Sequence, residues 1–518
     1  MPAVVTDQFR ISNAGNFVDS VLDTNNSYYV FLGLPNPAVP ISGFGRTTSN
    51  NEWNNNTPSP IDNLQYSGQY KNAAMFGRKV NSANVRRLIR KVSWTTNTRY
   101  DMYRHDYSIS NPAPNSQLSR LFDSNYYVIN SDFRVYICIS NGSSGSNLKG
   151  NLSKDEPTFT DLEPSAAGTS GDGYVWKYLF TVPPSDIIKF DATDYIVVPN
   201  EWDTSTDTQI QNVRESGNSD INLNQIKTVY IADGGAGYSG GICAILGDGT
   251  GAEASITVND KGTITDVVVT SGGSGYTYGI VNLKDRQSGG GSLSDPAKLI
   301  PIIPPSKGHG YDIYQELGTD KVLVYSRFDD SSKDFPVDTQ FSQVGIIKNP
   351  NTTSSTTTIF TGSEYSSLSS IKLDSVSSTP VVGVAMSQTT ASGGVAQGYV
   401  ASYDSQTQVL KYFQDRSSYF SNNKDQTDAI DVNIVSNVLP FESSSEPINP
   451  FTGSVDEGFS GIKTTIDSKE INLGVTFTNG LADPEINKKT GEIIYIDNRP
   501  LVQRDSRQKE DVKIILEF

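Results

Sequence analysis

The chain has 518 residues and a formal net charge of −16, with 36% hydrophobic and 19% charged residues. That balance argues against general affinity for nucleic acid or an anionic membrane, because neutralising phosphate takes clustered Lys and Arg. The surplus of Gly, Ser, Thr and Asn, with 26 Tyr and 21 Phe, suits a β-rich fold with long turns, in about two to four domains.

The N-terminal MPAVVTDQFRISNAGNF has no basic region followed by an apolar core, so it does not read as a signal peptide. No apolar run approaches the ~20 residues of a membrane helix, and the expectation is a soluble protein made in a cytosol. In Asn13 to Leu22 the residues Phe17, Val18, Val21 and Leu22 share a helical face. SYYVFLGL (Ser27 to Leu34) predicts a buried strand closed by Pro35 and Pro37, followed by Pro- and Asn-rich turns to about Asp62. NSANVRRLIRKVSW predicts a second helix, with Val85, Leu88, Ile89 and Val92 at i, i+3, i+4 and i+7 and a cap at Asn81 or Ser82.

From Tyr100 onward the pattern is strand: FRVYICIS, YVWKYLFTV and DYIVVPN are rich in β-branched and aromatic residues. In the second, Tyr174, Trp176, Tyr178 and Phe180 alternate with Val175, Lys177 and Leu179, an aromatic face expected in a core. Ile226 to Ser239 then aligns with Ile264 to Thr277 at an offset of 38 residues, an internal β repeat with a further strand between the copies. Pro301 to Pro305 reads as a linker, Lys321 to Phe328 as a strand, and Asn349 to Thr358 as a boundary. Gly398 to Gln414 predicts a hairpin, Ser421 to Gly461 an irregular polar stretch, and VKIILEF a last strand with Val512, Ile514, Leu516 and Phe518 inward.

Chemistry-bearing motifs are few. Gly235-Ala236-Gly237-Tyr238-Ser239-Gly240 meets the spacing G-x-G-x-x-G after a strand, but a dinucleotide turn needs a helix beginning within it. GICAILGDGTGAEAS is too rich in Gly for that helix, and the second copy has Tyr278 in place of the third glycine. What repeats is G-G-x-G-Y, with glycines supplying positive φ and the Tyr packing over the turn. Cys138 and Cys243 lie in apolar strands, without a CxxC, and read as buried thiols. His105 and His309 are the two histidines, too few for a three-His zinc site, and no metal, cofactor or small-molecule substrate is expected. Among carboxylates, Asp172, Asp329, Asp330 and Asp404 keep open a carbohydrate-binding or depolymerising β protein. Arg78, Lys79, Arg86, Arg87, Arg90 and Lys91 form the one basic cluster. On a helix, Arg86, Arg87, Arg90 and Lys91 would make either a solvated face or a dock for an acidic neighbouring subunit. Docking is favoured over nucleic acid, because the rest of the chain would repel phosphate, and on the docking reading reversing Arg86, Arg87 and Arg90 to Glu is expected to impair assembly and leave the fold intact.

Three blocks resemble the baseplate wedge subunit of T-even-type contractile-tailed bacteriophages, the gene-product-eight family, in a longer, cyanophage-like form. They are VTDQFRISNAGNFVDSV with RLIRKVSWTTNTRYDMY; GDGYVWKYLFTVPPSDIIKFDATDYIVVPN; and GEIIYIDNRPLVQRDSRQKEDVKIILEF. HGYDIYQELGTDKVLVYSRFDDS and FSQVGIIKNP match more loosely, and all follow the family's order. The resemblance implies a mainly β fold, a multi-layer β-sandwich core with a few short α-helices and inserted small β domains. It also implies a non-enzymatic homodimer in each wedge of a virion tail baseplate, touching other wedge subunits in the plate that triggers sheath contraction. Gly171, Asp172, Gly173, Tyr174, Trp176, Asn498, Arg499 and Pro500 stand in its blocks. Arg499 there either pairs with a carboxylate or belongs to a plain turn that leaves the strand. The expected partition is residues 1–105 and 106–222 as core, 223–300 as the Gly-rich repeat insertion, 301–349 as a return to the core, 350–484 as a second insertion, and 485–518 as closing strands.

Overall fold

A computed structural model describes residues 5–33, 55, 57, 59–60, 62, 64–216, 223–287, 295–329, 340–353, 355–382, 384–414, 439–503 and 508–518. Strands dominate, in several antiparallel sheets with a few short helices, the mainly β fold that the β-branched and aromatic runs predict. Contacts divide the chain into one unit of residues 1–18, 86–323 and 515–518 and another of residues 19–85 and 324–514. The turns expected between Pro35 and Asp62 lie largely outside the described residues, as does the irregular stretch from Ser421 as far as residue 438.

The first helix, Asp7–Leu22, starts six residues earlier than its apolar pattern and buries Ile11, Ala14, Val18 and Val21 on one face. The second expected helix is a strand, Val85–Arg90, and this is a correction. It pairs with Tyr195–Val198, Arg87 opposite Val198 and Ile89 opposite Ile196. Val85, Arg87, Leu88 and Ile89 are all buried, so both faces of the strand are covered. A short run buried on both faces carries the i, i+3, i+4 spacing by accident, and the β-branched Val85 and Ile89 decide for strand.

The first unit is centred on a four-stranded sheet ordered Tyr127–Ile129, Arg134–Asn141, Tyr174–Thr181, Ser165–Ala166. Tyr174, Trp176, Tyr178 and Phe180 are buried as expected, but so are Lys177 and Leu179 on the opposite face. Short helices follow at Pro184–Phe190, Thr208–Glu215 and Ile313–Leu317. Cys138 is buried in its strand, where desolvation pushes the thiol pKa well up and keeps it inert.

The β repeat closes on itself within this unit. Ile226 N–H donates to Gly272 O (3.0 Å) and Ile264 N–H to Gly234 O (2.9 Å). Gly237 N–H donates to Lys261 O (3.3 Å) and Gly275 N–H to Leu223 O (2.8 Å). Both pairs of bonds interchange under the 38-residue offset, so the copies face each other about a local two-fold axis. Strand partners are exchanged across the repeat: Thr250–Val258, between the copies, pairs with Ile264–Ser274 of the second. Lys298–Pro301, after the second copy, pairs with Val229–Asp233 of the first. The linker expected at Pro301 is therefore corrected; Pro301 ends a strand opposite Val229, where a residue without an N–H is tolerated. Gly235, Gly237, Gly273 and Gly275 all have positive φ (55°, 81°, 60° and 77°), and strands, Gly241–Gly247 and Gly279–Val281, follow the turns where a phosphate site needs a helix. Tyr238 and Tyr276 are buried with Ile226, Ile245, Ile256 and Ile264.

In the second unit a five-stranded sheet runs Glu364–Ser366, Ala74–Val80, Tyr28–Gly33, Gln340–Lys348, Glu492–Gln503. Tyr28–Gly33 is central and wholly buried, and a Cβ on Gly77 would meet the Tyr365 ring at 2.3 Å. Asn498-Arg499-Pro500 does not leave the strand Glu492–Gln503 at a turn, a further correction. Asn498 pairs with Gln343 and Val502 with Phe341, so Arg499, Pro500 and Leu501 form a bulge that spares Pro500 a ladder bond. A second sheet joins Ser369–Ser375, Ala385–Thr389, Val395–Asp404, Val409–Phe413 and Ser454–Val455. It holds the expected hairpin, with Tyr399 and Phe413 stacked at 5.4 Å. The polar stretch beyond residue 438 is irregular as expected as far as residue 453, yet Phe441, Ile448 and Phe451 from it are buried in this sheet's core with Val455. At the C-terminus Glu510–Glu517 keeps the expected alternation, with Ile514 buried between exposed Lys513 and Ile515.

Candidate functional site

The basic strand is mostly committed within the molecule. Arg86 grips Asp186 through two bonds, Nε to Oδ2 at 2.7 Å and Nη2 to Oδ1 at 2.9 Å, at the first turn of the 184–190 helix. Arg87 lies flat over the Tyr314 ring at 3.7 Å. Arg90 Nη2 donates to Asp123 O, Ser124 O and Asn125 Oδ1, fastening the 121–125 turn. Lys91 is held loosely, 3.5 Å from Asp191. Arg78 donates to Arg327 O, and Lys79 to Thr361 O at 3.3 Å. Arg90 and Lys91 line a cavity of about 360 Å³ with Arg120 and Lys321, facing Asp123, Asp194 and Asp320. Four cations against three carboxylates make a nearly neutral wall, so the charge of the strand is spent before it reaches solvent.

The residues of the GDGYVW block build a clasp. Gly171 and Gly173 take positive φ (65° and 84°) on either side of Asp172, whose buried carboxylate accepts Lys154 N–H (2.8 Å) and Tyr174 N–H (2.9 Å). Tyr174 O–H donates to Asn151 O (3.0 Å) and accepts Tyr100 N–H (2.9 Å). Trp176 stacks on Tyr174 at 5.3 Å while Tyr100 meets it edge-on at 5.8 Å. Glycine is required at 173, because a Cβ would press on Gly142 Cα at 3.0 Å with φ already left-handed. In the C-terminal block Asn498 is buried and accepts Gln343 Nε2–H at 3.0 Å, and Arg499 pairs locally with Asp497 at 2.8 Å. These are joints of the fold.

Groups able to do chemistry are tied down as well. His309 Nδ1 lies 2.5 Å from the buried carboxylate of Glu316, whose other oxygen accepts Gly310 N–H at 2.7 Å. Lys177 donates to Leu162 O (2.7 Å) and Ser216 Oγ (3.1 Å), and desolvation lowers its pKa to about 8. Lys177 and His309 border a cavity of only about 20 Å³, room for a water and no substrate. His105 accepts Ile303 N–H at 3.2 Å, while the neighbouring Asp106 is gripped by Arg104 at 2.7 and 2.9 Å. Arg104 in turn lies over Tyr230 at 3.8 Å, a tie between the 100–107 segment and the repeat that the sequence reading missed because no local pattern marks it. Asp404 caps the turn of its own hairpin, Asp329 stands 3.9 Å from Arg78, and Asp330 lies outside the described residues. Among the described residues no group of His, Cys, Asp and Glu has the geometry of a metal site.

The clasp and the basic strand fall in a stretch of known class. Residues 3–234, somewhat under half of the chain, match the model of a phage family described as Bacteriophage T4, Gp8. A relative in particular is the baseplate wedge protein gp8 of Enterobacteria phage T4, 27% identical over 220 residues, a match covering 38% of this chain and 60% of that protein. The chain thus spans less than two thirds of that relative's length. The resemblance carried by the N-terminal and 171–200 blocks holds; the C-terminal block lies beyond the matched residues.

Proposed function

We propose that this chain is a structural subunit of the baseplate wedge in the tail of a contractile-tailed phage virion. It acts by assembly, as a homodimer touching other wedge subunits, and contributes to the plate whose rearrangement triggers sheath contraction. It performs no catalysis. The observation that carries this reading is the match of residues 3–234, in which the block residues Asp172, Tyr174 and Trp176 are all consumed in holding the fold. Of the basic strand, the loosely held Lys91 is the residue left to the docking role toward an acidic neighbour; Arg86, Arg87 and Arg90 are engaged within the molecule. Localising the chain in a reconstruction of the assembled tail tests the reading. Density within the wedge ring is the expected result, and a place on a spike or fibre, or a stable trimer in solution, would overturn it in favour of a depolymerase.

A further inference from the structure

In the second unit the strand Ser369–Ser375 is flanked on both edges by antiparallel partners that run out at its first residues. Tyr412 lies opposite Ser369, and Ala482 lies opposite Ser370. Beyond those points the two chains continue as residues 413–414 and 483–489, on the order of 10 Å apart, twice the spacing of neighbouring strands. Between them they wall a cleft of about 390 Å³ at the end of the sheet, a size within the range of small-ligand pockets.

The polar groups of this wall are held in place, and several keep bonding capacity. Gln414 Nε2 donates to Gln397 O (2.9 Å) and Leu439 O (2.5 Å), which orients the amide and leaves its Oε1 without a partner among the described residues. Asn487 Oδ1 accepts Lys489 N–H (3.0 Å) in a turn closed by Thr490 N–H on Asn487 O (2.9 Å), so its Nδ2 donors remain. Asp483 and Lys489 are exposed, and among the described residues neither the carboxylate nor the ammonium has a hydrogen-bond or ion-pair partner. The apolar part of the wall is Ile486 and Phe413, whose ring is steadied by stacking on Tyr399 at 5.4 Å. The cleft therefore offers two acceptors, two donors and an aromatic surface, all positioned before any ligand arrives.

We propose that this cleft binds carbohydrate. A sugar hydroxyl donates and accepts at once, so neighbouring hydroxyls of one ring use the carboxylate, the amide oxygen, the amide N–H and the ammonium together. A simple anion uses only the donors, and an apolar ligand uses neither set. The C–H face of a pyranose ring covers Phe413 in the manner of an aromatic-lined pocket. With Lys488 also in the wall, the cleft carries a net +1 on a chain of −16, which admits a uronic sugar as well as a neutral one. Glycoside cleavage takes two carboxylates, and Asp483 is the one carboxylate among the described residues of this wall, so the cleft holds its ligand without cutting it. The site lies beyond the matched residues 3–234, goes beyond the wedge role and does not depend on it.

The full chain tests this on an array of immobilised neutral, N-acetylated and uronic oligosaccharides, with titration calorimetry against maltotriose, chitotriose and digalacturonate. Binding with a Kd of about 1 mM or tighter is expected for at least one class, with no new reducing ends released. Asp483→Asn keeps the shape and removes the charge, and is expected to weaken binding about tenfold. Lys489→Met is expected to weaken a uronic ligand more than a neutral one. Both side chains are exposed, so neither variant should shift thermal melting. A silent array with no calorimetric signal at about 10 mM, or binding unchanged in Asp483→Asn, would overturn the site. So would capture of an extended peptide in place of any sugar, or release of reducing ends. A tail reconstruction that removes the chain from the wedge ring leaves a positive sugar titration standing, so the two readings fail separately.

Discussion

The basic strand Val85–Arg90 and the apolar ribbon Gly241–Gly247 invert each other's appearance. The strand carries three arginines within five residues and reads as a sticky face, yet Arg86, Arg87 and Arg90 each find partners inside the molecule. The ribbon reads as one more half-buried strand, yet its outward side chains have nothing over them among the described residues. Charge density along a sequence therefore says little about contact with partners until the internal acceptors are known.

Mutations can break this contrast at either end. The largest effect is expected from reversing Arg86, Arg87 and Arg90 to Glu together. That change sets a carboxylate against buried Asp186 and empties the Tyr314 face, so we expect loss of about 5 kcal/mol or more and an unfolded subunit by thermal melting. A variant that stays folded and merely fails to assemble would return the strand to the docking role first expected of it. Next come the two tyrosines of the repeat. Tyr276 O–H accepts Ala252 N–H (3.2 Å) and donates to Ile245 O (3.0 Å), whereas Tyr238 O–H has Ala297 N–H (3.0 Å). Tyr276→Phe should cost about 2 kcal/mol and Tyr238→Phe about 1 kcal/mol in urea melts; the reverse order would show that the second copy is not the more tightly closed.

A third expectation concerns pH. The folded pKa of Lys177 lies below its unfolded value, so between about pH 8 and 10 the unfolded chain binds more protons and stability rises with pH. Below pH 8 the cost of burying the charge is present in full. Lys177→Met should remove that slope, so wild type gains on the variant by roughly 2 kcal/mol across the window; parallel curves would mean the ammonium is better solvated than its burial implies. The smallest effect is expected at Ile280, in the strand Gly279–Val281 that pairs with the ribbon. Ile280→Thr should leave the monomer's melting within about 0.5 kcal/mol of wild type, because the side chain is already in water.

Much of the fold was legible because its strands alternate against one solvent face or carry β-branched and aromatic runs. The last strand, the 398–414 hairpin and the 174–181 aromatic face are of that kind. Val85–Arg90 was misread because both its faces are buried, which erases the period-two signal. The repeat was visible as repetition, and its glycines as turns, but the exchange of strands was not: which strand pairs with which is decided between residues far apart. Pro301 pointed to a linker because proline marks chain breaks in general, and only its place opposite Val229 shows that it closes a sheet. For the site, the family blocks were legible as blocks, while the roles of Asp172 as a clamp and Asn498 as a buried amide needed coordinates.

The pairing of Val229 with Pro301, with Ile302 N–H donating to Thr228 O at 3.0 Å, also bears on how such a chain grows. The chain enters and leaves the repeat side by side, so the surrounding fold meets the whole repeat as if it were the turn of a hairpin. Closing that turn costs little entropy whatever lies beyond it, because the strands of the repeat hold their own ends together. A segment built this way can be gained, lost or exchanged at one point in the chain without re-registering the sheets that flank it.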